Sequence, residues 1–109
     1  MIQVDYFMSH GSPWTFLGHK RLGEIIKKYK VKLNMLPVNY GEIFPISGGL
    51  PVSKRPVQRQ KIRLQELKRW SKFLDINLIP QPTSFPSKSM LPSLLIIASQ
   101  MMKTNKDFE

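Results

Sequence analysis

Apolar residues recur along this chain first at every second position and then at every third or fourth, and each switch between the two spacings predicts a new element. Ile2 to Met8 alternates, with Ile2, Val4, Tyr6 and Met8 facing one way and Gln3, Asp5 and Phe7 the other, which predicts a strand. Phe7 on the second face calls for at least partial cover on both sides. Ser12 and Pro13 then form a helix start, because serine is a favoured cap and proline at the first helical position sacrifices no hydrogen bond. The helix runs to about Tyr29, with Leu17, Leu22, Ile25, Ile26 and Tyr29 as its buried stripe. In Val31 to Val38, the apolar Val31, Leu33 and Met35 alternate with Lys32 and Asn34, predicting a second strand. Strand, helix and strand in this order predict a right-handed βαβ unit with parallel strands, and so an α/β fold.

The next stretch, YGEIFPISGGLPVSKRP, carries Gly41, Pro45, Gly48, Gly49, Pro51 and Pro56, and predicts a long loop. Long ordered loops are often functional. From Val57 to Leu74 the pattern is helical again. Val57, Leu64, Leu67, Trp70 and Leu74 share a face there, while Lys61, Arg63, Lys68, Arg69 and Lys72 lie largely around the others. A proline-bearing connection, INLIPQPTSFPSKS, leads to MLPSLLIIASQMM, where a helix is expected to start near Ser89 or Pro92 before the polar tail KTNKDFE. No internal repeat interrupts this order. Two parallel strands alone leave open sheet edges, which further strands normally repair. A continuation beyond Glu109 is therefore expected.

A chain of 109 residues with 41% hydrophobic content can bury one modest core, so one domain or a piece of one is expected. Lys and Arg number 17 against 7 Asp and Glu, a net charge of +10. Such a field gathers anions, whether nucleic acid, anionic lipid or a small carboxylate. The chain has no cysteine, which excludes disulfides, cysteine-based zinc sites and thiol catalysis by its own side chains. No apolar run is long enough to span a bilayer and the N-terminus has no secretory pattern, so a cytoplasmic protein without a membrane partner is expected.

The stretch MSHGSPWTFLGH joins the first strand to the first helix. A helix N-terminus reached in this way is an anion site by geometry, since unpaired N–H groups and the helix dipole converge on it. A thiolate opposite Ser12 would receive both the dipole and a hydroxyl hydrogen bond, and its pKa would fall. An isolated Ser-Pro pair is more readily read as only a cap and a helix starter, and both readings stand at this point. Trp14, Phe16 and Trp70 are expected in a core or interface, and His10 and His19 lack metal-ligand company. The basic segment from Lys54 to Lys72 has Glu66 as its one acid. Its charges wrap around the helix without forming a stripe, and no helix-turn-helix, zinc-finger or RNP-like motif accompanies them, so nucleic acid is disfavoured as a partner. Lys54 and Arg55 at its start are placed to reach an anionic ligand.

Four motifs then coincide: D-Y-F-x-x-x-x-S-P-W-x-x-L-G at Asp5 to Gly18, G-E-I-F-P-x-x-G-G-L-P at Gly41 to Pro51, R-P-x-x-R-Q at Arg55 to Gln60, and L-x-R-W at Leu67 to Trp70. Together they resemble the N-terminal half of the 2-hydroxychromene-2-carboxylate isomerase family, which is similar to kappa-class glutathione transferases within the thioredoxin superfamily. The resemblance implies a thioredoxin-like βαβ portion over residues 1–40, and over 41–109 a loop and the start of an all-helical insertion, apparently truncated. It implies glutathione as cofactor and a small aromatic carboxylate as substrate in aromatic degradation. Ser12 would hold and activate the glutathione thiolate, standing with Thr15 where thioredoxin-like folds carry Cys-Pro-x-Cys. Ser53 and Lys54 would contact the substrate, Lys54 beside its carboxylate, and Phe85 would line the pocket. Full-length members are implied to be homodimers, and a chain of this extent is expected to be weakly active or inactive. A kappa-like glutathione transferase and a small basic nucleic-acid-binding protein are the alternatives.

Overall fold

A computed structural model describes residues 1–102, and the polar tail expected at 103–109 lies outside the described residues. Along the chain come β1 (Gln3–Met8), α1 (Pro13–Tyr29), β2 (Lys32–Pro37), α2 (Tyr40–Ser47), a 3-10 turn (Val52–Lys54), α3 (Val57–Leu74) and α4 (Met90–Met101). They form two compact units, one of residues 1–38 with the segment from Ser87 onward, the other of residues 39–86. No helix among the described residues is long and apolar enough to cross a membrane.

In the first unit β1 and β2 pair in parallel, in register from Gln3 opposite Lys32 to Met8 opposite Pro37, with α1 as the connection. The expected βαβ unit is present. α1 ends where Lys30 enters the left-handed region at φ 51° and donates its N–H to the Ile26 carbonyl. Lys27 and Lys28 place positive charge at the negative end of the helix dipole. Met8, Met35 and Ile96 form the buried core, with Tyr6 and Leu33 packed against it.

Burial is narrower than the apolar pattern implies. Of the α1 stripe only Leu17 is buried, while Ile25 and Tyr29 are exposed. Phe7 is 65% exposed, so the cover expected on the second face of β1 is slight. Alternation shows which side chains share a face but not whether anything packs on it.

α4 closes part of the sheet in a way the strand pattern does not announce. Ile96 enters the core, and the Gln100 side chain pairs with the backbone of Met35: Met35 N–H donates to Oε1 at 2.9 Å, and Nε2 donates to the Met35 carbonyl at 2.7 Å. The amide thus stands where the peptide of a neighbouring strand would, and blunts an edge that otherwise offers unpaired backbone groups.

In the second unit, a helix occupies part of the expected long loop. Asn39 caps α2 by accepting from the Gly41 N–H at 2.9 Å, and Gly48 at φ 78° ends it. Pro45 removes one interior hydrogen bond. Against that loss, Tyr40 and Phe44 lie one turn apart and stack, with ring centroids 5.4 Å apart. Gly49 is required here, because a Cβ would stand 2.6 Å from the Phe44 ring.

α3 has the predicted bounds but a rotated inner face. Gln60, Arg63, Leu64, Glu66, Leu67, Ser71 and Leu74 are the buried or half-buried positions, whereas Val57 and Trp70, expected among them, are exposed. Leu67 is fully buried. Asp75 closes the helix in the left-handed region at φ 53°, and the Ser71 hydroxyl donates to the Ile76 carbonyl.

Two substitutions probe these anchors in urea titrations of the whole chain. Leu67→Ala is expected to cost about 2–5 kcal/mol through its cavity. Gln100→Ala should cost about 1–3 kcal/mol by leaving the Met35 backbone groups without partners.

Candidate functional site

β1 delivers the chain to the start of α1 through a tight turn whose polar groups bond mainly to one another. Ser9 is buried; its hydroxyl accepts from Gly11 N–H at 3.3 Å and its carbonyl from Ser12 N–H at 3.1 Å. Ser12 itself is half-buried with extended backbone, φ −90° and ψ 120°, and its Oγ accepts from Thr15 N–H at a long 3.5 Å. Pro13 opens the helix without an N–H of its own to satisfy. The first turn holds no acidic side chain.

This arrangement suits an incoming anion. The cap bond is near the outer limit of hydrogen-bond length, so the hydroxyl is lightly held and retains its own proton to donate. N–H groups of the first turn add dipole attraction, and no acidic side chain in that turn opposes it. The residues fit a thiolate, which this cysteine-free chain must receive from a ligand. Trp14 and Phe16 flank the turn and are 42% and 52% exposed, so of the core or interface position expected of them the core is excluded.

The other sequence-derived candidates lie in the second unit. Ser53 and Lys54 form the exposed 3-10 turn, closed by Lys54 N–H to Pro51 O at 2.9 Å and Arg55 N–H to Val52 O at 3.1 Å. Phe85 is 40% exposed, and the Arg63 guanidinium lies over its ring at 5.2 Å from the centroid. Arg55 is half-buried and is fixed by its Nε donating to Leu50 O at 2.9 Å, while Gln60 Nε2 donates to Arg55 O at 2.8 Å. Burial lowers the Arg63 pKa from its ordinary value, and the nearby charge of Arg55 lowers it further. Arg63 belongs with this group, although helical spacing puts it among the solvated charges. The available signal was its place four residues before Leu67, on the face that turns inward. Among the described residues no cluster of three or more potential metal ligands occurs.

The cap and the hydroxyl chemistry of Ser12 can be separated. Ser12→Ala should lower stability by about 0.5–2 kcal/mol in urea titration, whereas Ser12→Asp, an equally good cap with charge favourable to the dipole, should stay near or above the parent.

The sequence also matches a family model over residues 3–108, that of the DSBA-like thioredoxin domain. No curated protein and no solved structure matches the chain significantly. The family model agrees with the observed β1-α1-β2 unit followed by helices. Spanning nearly its whole length, the match shows that this chain belongs to the DSBA-like thioredoxin domain family.

Proposed function

We propose that this chain serves glutathione-dependent isomerisation of the 2-hydroxychromene-2-carboxylate type, with Ser12 at the glutathione thiolate and Ser53, Lys54 and Phe85 at the substrate. One observation carries the reading: a hydroxyl, in a cysteine-free chain of a thioredoxin-like family, caps the helix that follows the first strand. Glutathione, when bound, supplies the thiolate nucleophile that adds reversibly to the conjugated substrate and lets the bond rotate. The chain's own residues do the rest.

Ser12 donates its hydroxyl proton to the sulfur and so favours the ionised form. First-turn N–H groups of α1 add their dipole to the same effect. Pro13 fixes the backbone that aims Ser12, at no cost in hydrogen bonding. Lys54, exposed on its 3-10 turn, attracts the substrate carboxylate, and Phe85 offers a ring face against which an aromatic substrate packs. In Phe85 the packing is available without any hydroxyl.

Titration of the 109-residue chain with glutathione, followed by amide NMR, tests the reading. Resonances around Ser12 should shift, and S-methylglutathione, which has no ionisable thiol, should shift them less. Ser12→Asp should abolish the response while keeping the helix capped, because a carboxylate repels a thiolate. Since a bound thiol of lowered pKa favours the thiolate, affinity should rise as pH passes upward through that lowered pKa, and level off above the free thiol's own. An unshifted parent spectrum, or an undiminished response in Ser12→Asp, would count against the proposal.

A further inference from the structure

Arg63 is a charged side chain in an apolar position. It sits on the inward face of α3 one turn before the fully buried Leu67 and is itself half-buried. Its guanidinium rests over Phe85, and Arg55 is near enough for the two charges to repel. The one ion pair among the described residues, Arg69 with Glu66, involves neither. The partly desolvated Arg63 guanidinium thus shares a locality with the charge of Arg55, and neither has an ion-pair partner among the described residues, an arrangement that loses free energy unless a counter-charge arrives. Arg55 is nevertheless held in place, through Leu50 O and Gln60. Phe85 keeps 40% of its surface open beside them.

We infer that Arg63 and Arg55 form the carboxylate clamp of the second unit, with Phe85 as the adjoining platform for the ring of a small planar aromatic carboxylate. Guanidinium groups match a carboxylate in shape as well as charge, each able to give it two parallel hydrogen bonds. A ring stacked against the open part of Phe85 brings its own carboxylate toward these donors. This assigns the binding contact to the arginines and leaves exposed Lys54 the longer-range attraction. The inference rests on the reading in which residues 39–86 take the substrate, and it does not depend on Ser12.

The test is calorimetric titration of the whole chain with 2-naphthoate as probe. Arg63→Gln and Arg55→Gln should each weaken binding about tenfold or more, the usual effect of losing a charge-assisted contact. Arg63→Lys should fall between Arg63→Gln and the parent, because it keeps the charge and loses the fork. Phe85→Leu should weaken 2-naphthoate more than cyclohexanecarboxylate, and Lys72→Gln, a charge control on the same helix, should change little. Amide spectra check that each variant is folded, and Arg55→Gln carries the test if Arg63→Gln does not fold. No binding by the parent, undiminished binding in a folded Arg63→Gln or Arg55→Gln, equal binding of 2-naphthalenemethanol, or displacement by inorganic phosphate at comparable concentration would each overturn the clamp. Glutathione shifts around Ser12, read in the same Arg63→Gln sample, should persist. Their loss in every form with naphthoate binding intact would remove the glutathione reading and leave the clamp standing.

Discussion

Parallel pairing of β1 with β2 governs the first unit, because two parallel strands cannot be joined by a tight turn and need a crossover long enough to return the chain to the same end of the sheet. α1 is that crossover. Its N-terminus must follow the end of β1, and the residues between, Ser9 to Ser12, bond to one another to make the turn. The polar chemistry of the turn is therefore a consequence of sheet topology, with Ser12 placed where the dipole of a 17-residue helix emerges. Gln100 complements the same constraint from the other side. By pairing with both backbone groups of Met35, it lets β2 exist as an outer strand at that point without a further strand beside it.

Charge shapes the second unit in a different way. Most of the chain's positive side chains are solvated and contribute a general field that draws anions. Arg63 and Arg55 are the half-buried exceptions, and for Arg63 burial makes the charge costly while the nearby Arg55 adds repulsion. A protein commonly tolerates such a cost where a ligand relieves it. The cation over Phe85 recovers a little of the energy and orients the guanidinium at the same time.

The sequence was legible where local rules suffice. Alternation from Ile2 to Met8, the Ser12-Pro13 start and the bounds of α3 all appear as read, because caps, proline positions and periodicity act over a few residues. The motifs around Asp5 to Gly18 led to the right superfamily for a related reason: a turn that must present a helix N-terminus restricts which residues can stand in it. α2 was missed because Pro45 and the glycines outweighed the Asn39 cap and the Tyr40–Phe44 stack, which are visible only once the backbone has coiled. The apolar stripe of α3 was read correctly at Leu64, Leu67 and Leu74 but took in Val57 and Trp70 and left out Arg63, because apolar character guided the reading whereas burial follows the neighbours a side chain meets.

By itself, then, the sequence determined the βαβ order, the capped helix start at Ser12, the absence of a thiol and the basic field. These depend on residue type and near-neighbour spacing. Tertiary structure alone decided that Gln100 would seal β2 at Met35, that Phe7 would remain open, and that Arg63 would turn inward over Phe85 beside Arg55. Each of those outcomes depends on contacts between residues distant in the chain or on the exact rotation of a helix, and neither is encoded in a local pattern of polar and apolar positions.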